Sequence, residues 1–413
     1  MEQDLNSKPK QRTGIIGAGP AGSLAAIFLA QMSPDHEITL FDGTEPLSTL
    51  LPTGGGRCNL TYYESDNKEL AKFYPRGEKF LLSVFSKFNS LNTIEFFESI
   101  GIPTFVQDDS RVFPTSESSK EVAKVLKCLI QKYSIKVIRE KVEDLSREND
   151  LFLVKTNAKK HSYFHNIVIA TGGKGNGFEL AKKLGHKIEE PKAALSPLKI
   201  KETEFYELSG LTLKNISITA FFKNKKISKV YDDMLFTHKS ITGPAIYKTS
   251  SLCAYSNFNE ATPLRLSINI TNLTEEEIDY FVKEAINTNP HKTVKNVFSK
   301  LAPKRLLELI LKINKIDENK EITHLSKKEK SIIIKNLTEL ELNAITKTTG
   351  EEIVTAGGIS LNEINSKDMS SKIIPNLYFC GEVINVDGFT GGFNLQNCWS
   401  TAFVCADGIN SKQ

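Results

Sequence analysis

Residues 13–42 read TGIIGAGPAGSLAAIFLAQMSPDHEITLFD, and the order of patterns in this stretch decides the fold. TGIIG is a short apolar strand and GAGPAG a glycine-rich turn. SLAAIFLAQ is a strong helix former with apolar residues almost all round, which predicts a buried helix. EITLFD is a second strand, ending on Asp42. Together they read as a βαβ unit. Gly17, Gly19 and Gly22 stand at G-x-G-x-x-G spacing, with Pro20 and Ala21 between. That spacing is weak evidence alone. Here a strand precedes it, a helix follows it, and an acid ends the next strand. The first glycine permits the tight turn. The second lets a pyrophosphate approach the backbone, and the third lets helix and strand pack. Amides at the helix N-terminus would then face the phosphates. Asp42 follows Gly17 by 42 − 17 = 25 residues, and an acid there can accept both ribose hydroxyls of an adenosine. The alternative is a structural glycine turn without a ligand.

The chain has 413 residues, which favours two or three domains over one core. Its net charge of +4 is too mild to argue for nucleic acid or membrane. The N-terminal MEQDLNSKPKQRT has no apolar segment of the signal-peptide kind and reads as a frayed polar lead-in. No run approaches the ~18 apolar residues of a membrane span. The six cysteines form no C-x-x-C pair, so a reduced, cytoplasmic protein without a structural metal is expected. Each cysteine reads first as a small buried apolar residue.

Farther along, residues 78–105 and 117–134 read as amphipathic helices joined by the turn-rich RVFPTSES. Residues 135–170 read as β: IKVI, VEDL, a turn at Asn149 and Asp150, LFLVKT, and the apolar run IVIA. Composition shifts after Pro191. From about Leu195 to Thr271 helical periodicity is lost, while LKNISITA and LRLSINI alternate with period two. Residues 273–340 return to helix. Thr274 with Glu277 and Ser326 with Glu329 form capping-box signatures. Residues 291–335 hold 12 Lys and Arg against 5 Asp and Glu. A solvated helix face is the expected reading, and a nucleic-acid surface the alternative.

Three later segments favour FAD over NAD. TGGGRCNLT (53–61) follows soon after Asp42. Amides of Gly54, Gly55 and Gly56 can line a concave anion site, to which Arg57 adds charge. IVIATGG (167–173) is a buried strand ending in bare backbone at the edge where open α/β sheets bind ligands. NLYFCGEVINVDGFTGGFNLQNCWSTAFVCADGI (376–409) gives a strand, then Gly381, Glu382 and Asp387, then Gly391 and Gly392 opening a helix near Asn394. A helix start is partly positive, and aiming it at the N1 side of a flavin would favour reduction.

GAGPAG, TGGGRCNLT, ATGG, LFTHKSITGPA, VTAGGISLNEI and LYFCGEVINVDGFTGGFNLQ, in this order, resemble the BaiN-like NAD(P)/FAD-dependent oxidoreductases. These are bacterial flavoproteins, some described as aminoacetone oxidases and one linked to bile-acid metabolism. The motifs span most of the chain. The resemblance implies an α/β fold: a two-part Rossmann-like FAD-binding domain with an inserted β-rich domain and a small helical domain. The boundaries expected are 1–194 for the first part, 195–272 for the insert with 336–349 returning to it, 273–335 for the helices, and 350–413 for the second part. Carried over by motif, Gly17, Gly19, Pro20, Ala21, Gly22 and Asp42 would hold the ADP half. Gly55, Gly56, Arg57, Cys58 and Asn59 would lie along pyrophosphate and flavin. Val142 would meet the adenine through its backbone, and Thr171 and Gly172 would close over the ADP. Gly381, Glu382, Asp387, Gly392, Asn394 and Leu395 would surround ribityl and flavin. In one departure, relatives carry a longer Ser/Pro/Thr-rich loop after ATGG, whereas here Gly173 runs through Lys174 directly into GNGFELAKKLGH. That implies a different or more open substrate pocket.

The expected activity is hydride transfer between the flavin and a small organic substrate or NAD(P)H, the protein positioning and tuning the cofactor. The second reading is a flavin-binding sensory module, or one that contacts RNA or a partner, without turnover. Flavin-dependent RNA modification shares features of both. No catalytic acid or base stands out. His238 can titrate near neutrality but reads first as structural. Cys58 reads as packing, and Phe393 and Trp399 as either flavin walls or core. A membrane partner is not expected and nucleic acid is disfavoured. Substrate, electron donor and oligomeric state are not fixed by the sequence.

Overall fold

A computed structural model of the chain describes residues 10–348 and 354–412. Most of the polar lead-in, and residues 350–353 at the expected start of the second part, lie outside the described residues. The chain divides into two compact units. One is Met1–Lys192 with Thr355–Gln413, and the other is Ala193–Val354. The fold is mixed α/β, a Rossmann-type domain interrupted by an inserted unit. Among the described residues no helix is long and apolar enough to cross a membrane.

The first unit is built on five parallel strands: β1 (Arg12–Ile16), β2 (Glu37–Phe41), β3 (Lys136–Ile138), β4 (Asn166–Ile169) and β5 (Leu377–Phe379). They lie in the order β5-β4-β1-β2-β3. Every residue of β4 and β5 is buried, as their unbroken apolar runs predict for parallel strands covered on both faces. Helix α1 (Pro20–Met32) follows β1, with Ala21 to Ala30 all buried. It packs against α2 (Phe393–Asn410), an almost wholly buried C-terminal helix. Eighteen residues make α2 about 27 Å long, and its buried polar residues have specific partners. Gln396 accepts from Thr93 at 2.9 Å and donates to Ser400 at 2.7 Å, and Trp399 donates to the Leu60 carbonyl at 2.9 Å.

The expected helix over 78–105 is two helices, Glu78–Phe85 and Ser90–Ser99, followed by a strand at Thr104–Val106. Asn89 starts the second helix with a capping box to Asn92, which its polar cluster Asn89-Ser90 signals locally. The predicted strands at VEDL and LFLVKT form an antiparallel meander, Val142–Glu148, Leu151–Thr156 and His161–Phe164. Asn149 takes the left-handed conformation (φ 54°) at its first turn.

In the second unit six strands close a barrel, in the order Leu198–Ile200, Ile241–Thr242, Lys225–Phe236, Thr212–Phe222, Leu264–Asn269, Leu340–Lys347. Helices Glu275–Thr288 and Lys327–Thr338 carry the capping boxes read from Thr274 and Ser326. A helix at Pro244–Leu252 falls where none was expected. Its sequence PAIYKTSSL is half Ser, Thr and small residues, so apolar periodicity does not betray it. Burial of Thr249, Ser250 and Ser251 does.

Candidate functional site

The site in the first unit gathers at the C-terminal ends of β1, β2, β4 and β5. Gly17 leaves β1 with φ 102°, and its N–H donates to the Phe41 carbonyl at 2.8 Å. A Cβ there would stand 2.5 Å from the Ala170 carbonyl oxygen, and one on Gly22 only 1.9 Å from the Gly17 carbonyl oxygen. The turn is therefore glycine by contact as well as by conformation. Gly19 caps α1, offers no side-chain acceptor, and is followed by Pro20 at the first helical position with no acid in the first turn. The first-turn N–H groups keep their partial positive charge for a ligand. Asp42 folds back on this turn, accepting from Ala18 N at 2.7 Å and from the Thr44 amide and hydroxyl at 2.8 Å each.

Thr171 and Gly172 follow β4. Gly172 adopts φ 69°, and the Thr171 hydroxyl is buried without a hydrogen-bond partner among the described residues. The short link behind it packs tightly: a Cβ on Gly177 would lie 2.1 Å from Thr171 Oγ1. Val142 is buried and its carbonyl accepts from Asn176 at 2.8 Å. Gly381 follows β5 with φ 76°, where a Cβ would meet that of Ala21 at 2.6 Å. Strand ends 1, 4 and 5 thus converge on the start of α1. Asn397 of α2 is fully buried with neither amide atom partnered among the described residues. A threonine hydroxyl and an amide left so in a folded core are costly. Beside a bare helix start and backbone packed too closely for side chains, they fit an extended polar ligand such as a dinucleotide.

The triple-glycine segment has a different logic. Gly54, Gly55 and Gly56 take φ of 58°, 67° and 89°, so conformation requires glycine at all three. Only Gly54 is also pressed, with Asn59 N 2.7 Å from its Cβ position. Arg57 pairs with Glu117 at 2.9 Å and stacks over the Phe113 ring, 4.2 Å from its centroid. Cys58 is buried and its thiol is pushed up to about 12 by burial, which keeps it protonated and marks it as packing. Asn59, its amide oriented to suit its neighbours, donates to the Val112 and Thr61 carbonyls and accepts from Gly392 N at 3.1 Å. It therefore ties this segment to the start of α2. Gly392 caps that helix at φ 95°, again with no acid in the first turn. Asn394 clamps the preceding loop through Gly388 N and O at 2.9 Å each, and Leu395 is buried. Phe393 stacks on Phe73 at 4.4 Å and Trp399 packs edge-on against Phe97, so both are core. His238 is exposed in a turn of the second unit.

Sequence reasoning missed Arg76. Its guanidinium forks onto both carboxylate oxygens of Asp387, which is fully buried. The signal was an arginine between Pro75 and Gly77 inside the aromatic stretch FYPRGEKF. Glu382 reaches the surface with only part of its residue, and its carboxyl is buried. Burial first, then the Asp387 charge, raise it to about 7, with Lys174 pulling the other way. Glu382 is thereby poised to hold or release a proton near neutrality. An acid whose folded value is raised binds more protons folded than unfolded. Stability therefore falls as pH climbs from the ordinary ~4.3 through about 7. Glu382→Gln is expected to remove that slope. Thermal midpoints between pH 5 and 8 check it, and parallel curves for variant and parent would refute the assignment.

A family model described as HI0933-like protein Rossmann domain matches residues 11–408. The chain is 29% identical to a ribosomal RNA dihydrouridine synthase of Haemophilus influenzae, over 96% of this chain and 98% of that protein. The Escherichia coli protein of the same name is 27% identical, over 96% and 97%. A 3-dehydro-bile acid delta(4,6)-reductase of Clostridium scindens is 26% identical, over 95% and 97%. Among solved structures, a 3-ketosteroid delta1-dehydrogenase from Sterolibacterium denitrificans superposes with TM-score 0.52 at 11% identity, covering 97% of this chain and 99% of that one. That likeness is one of fold.

Proposed function

The chain belongs to the HI0933-like Rossmann-domain family, and we propose that within it this protein is an FAD-dependent oxidoreductase that reduces a carbon–carbon double bond conjugated to a carbonyl. The observation that carries the reading is the convergence of Gly17, Thr171 and Gly381, three segments remote in sequence, on the start of α1. The names of the relatives supply the reaction class. A dihydrouridine synthase saturates the ring double bond of uracil, and a delta(4,6)-reductase saturates double bonds conjugated to a ketone. Both need a hydride delivered to an electron-poor carbon and a proton delivered to its neighbour.

In this reading Gly17, Gly19, Pro20, Ala21 and Gly22 bring bare backbone and the first-turn amides of α1 to the pyrophosphate. Asp42 holds the adenosine ribose, and the Thr171 hydroxyl and Asn397 amide satisfy further polar groups of the cofactor. Gly55, Gly56, Asn59, Gly392, Asn394 and Leu395 shape the wall along the flavin, with the α2 start stabilising negative charge there. The flavin, when bound, supplies two-electron hydride transfer. Glu382 stands as the group that stores the accompanying proton. NADH or NADPH is the proposed donor.

The relatives named for ribosomal RNA favour a second substrate reading, a uridine within RNA in place of a small enone. Purified protein is expected to be yellow, with absorbance near ~450 nm, and to bleach with NADH or NADPH under anaerobic conditions. Adding a uridine-containing RNA or a conjugated enone should then restore the colour for whichever is the substrate. A colourless protein that takes up no FAD rejects the reading.

A further inference from the structure

The barrel of the second unit carries a surface made of none of the residues assigned to the flavin. Strands Thr212–Phe222 and Lys225–Phe236 form a two-stranded ribbon closed by Lys223 and Asn224. Both turn residues adopt positive φ (50° and 61°), as two-residue hairpin turns matched to strand twist require. Residues 217–231, SITAFFKNKKISKVY, hold four lysines and no acid. Register puts Thr219 opposite Lys229 and Ser267, and Phe221 opposite Lys226 and Arg265. Burial alternates along these strands, so these residues share the outward face, with Tyr231 beside them at 59% exposure.

Aromatic rings and cations are interleaved on this face. The Arg265 guanidinium lies 4.1 Å from the Phe221 centroid and the Lys229 ammonium 5.1 Å from that of Tyr231, while Phe222, the next residue along, turns to the barrel core. Arg265 is tied to Glu341 at 3.0 Å. Among the described residues none of Lys223, Lys225, Lys226 and Lys229 pairs with a carboxylate. The more basic helical stretch at 291–335 differs in its rings: four of its lysines are held, Lys295 by Glu308 and Glu318, Lys312 by Glu207, Lys320 by Glu329 and Lys330 by Asp279, and its one aromatic residue, Phe298, is buried.

We propose that the outer face of this ribbon is a docking platform for single-stranded RNA. Unpaired lysines neutralise phosphates, while the rings of Tyr231 and Phe221 offer sequence-tolerant stacking to bases. The hydroxyls of Thr219 and Ser267 are on the same face for the 2′-hydroxyl that separates RNA from DNA. The inference stands on this surface and not on which substrate the flavin site takes.

The test is fluorescence anisotropy of the full chain, as purified, with a labelled single-stranded RNA of roughly 12 nucleotides. Binding should weaken steeply with salt, with a log–log slope of about −3 for ~4 phosphates contacted. Lys226→Glu with Lys229→Glu should weaken binding about tenfold or more and flatten that slope by ~1–2. Tyr231→Ala should weaken binding about tenfold and leave the slope unchanged. All three side chains are exposed, and unchanged melting confirms the fold. The inference fails if RNA does not bind at about 50 mM salt, or if both variants bind like the parent. It fails also if a DNA strand of the same sequence binds as well, or if only anionic lipid vesicles bind. Because binding is read without turnover, its failure leaves the flavin proposal standing. A colourless protein, in turn, leaves this surface to be judged by its own result.

Discussion

Gly22→Val is expected to give a chain that no longer retains flavin. The Cβ it introduces would lie 1.9 Å from the Gly17 carbonyl oxygen and 3.3 Å from the Ala170 Cβ. Neither neighbour can yield. Gly17 is fixed by its 2.8 Å hydrogen bond to Phe41 and by its own approach to Ala170. Helix α1 must therefore move off β1, or the turn must open, and either takes the helix start away from the site. Overpacking in cores costs ~1–3 kcal/mol, and a clash with backbone lies at or above the upper end. If ~3 kcal/mol falls on binding, affinity drops about 100-fold. The ratio of flavin to protein absorbance reads the loss, with far-UV dichroism reporting the fold. Gly43→Ala, whose Cβ would have Lys141 Cβ as its nearest neighbour at 3.4 Å, is the neutral comparison. A yellow Gly22→Val protein would contradict the role given to this turn.

Arg76→Ala is expected to cost about 3–5 kcal/mol of stability, the range for breaking a buried ion pair by removing one partner. Asp387 is fully buried and Arg76 nearly so, with 15% of its side chain exposed, so solvent cannot replace the guanidinium. The pair fastens the segment before helix Glu78–Phe85 to the loop that leads into α2, since the backbones of Arg76 and Asp387 also form an isolated bridge. Arg76→Lys should recover only part of the loss, because an ammonium cannot fork onto two oxygens. Arg76→Leu with Asp387→Leu should lose less than the two single changes combined. Chemical denaturation measures all three. A loss below about 0.5 kcal/mol in Arg76→Ala, the scale of an ordinary surface change, would show the pair to be dispensable.

What was legible in the sequence was what is local. The βαβ opening, the glycine spacing, the two capping boxes and the turn at Asn149 depend on residues within a few positions of one another, and the structure has them there. The break at Asn89 was also local, but two adjoining apolar patterns read as one helix. What was not legible depends on pairings made across the chain. Arg76 finds Asp387 across 311 residues, and Thr93 finds Gln396 across 303. In the sequence the triple glycine reads as amides that can line an anion site. At Gly55 and Gly56 no protein atom comes within 4 Å of the Cβ position, and the positive φ is what demands the residue. A single sequence reports that glycine is present, and only the backbone angles tell why.

The interruption of the first unit by the second has a consequence for how the protein comes into being. β4 ends at Ile169 and its outer neighbour β5 begins only at Leu377, 208 residues later. At ribosomal speeds of ~5–20 residues per second, that is a wait of about 10–40 s. During it the edge of β4 that β5 will cover, wholly apolar in its inner three residues, has no strand beside it, and one wall of the candidate site has not yet been made. If the site holds a dinucleotide as proposed, its loading waits until α2 has been made, so that a nascent chain cut short before α2 would carry no coenzyme.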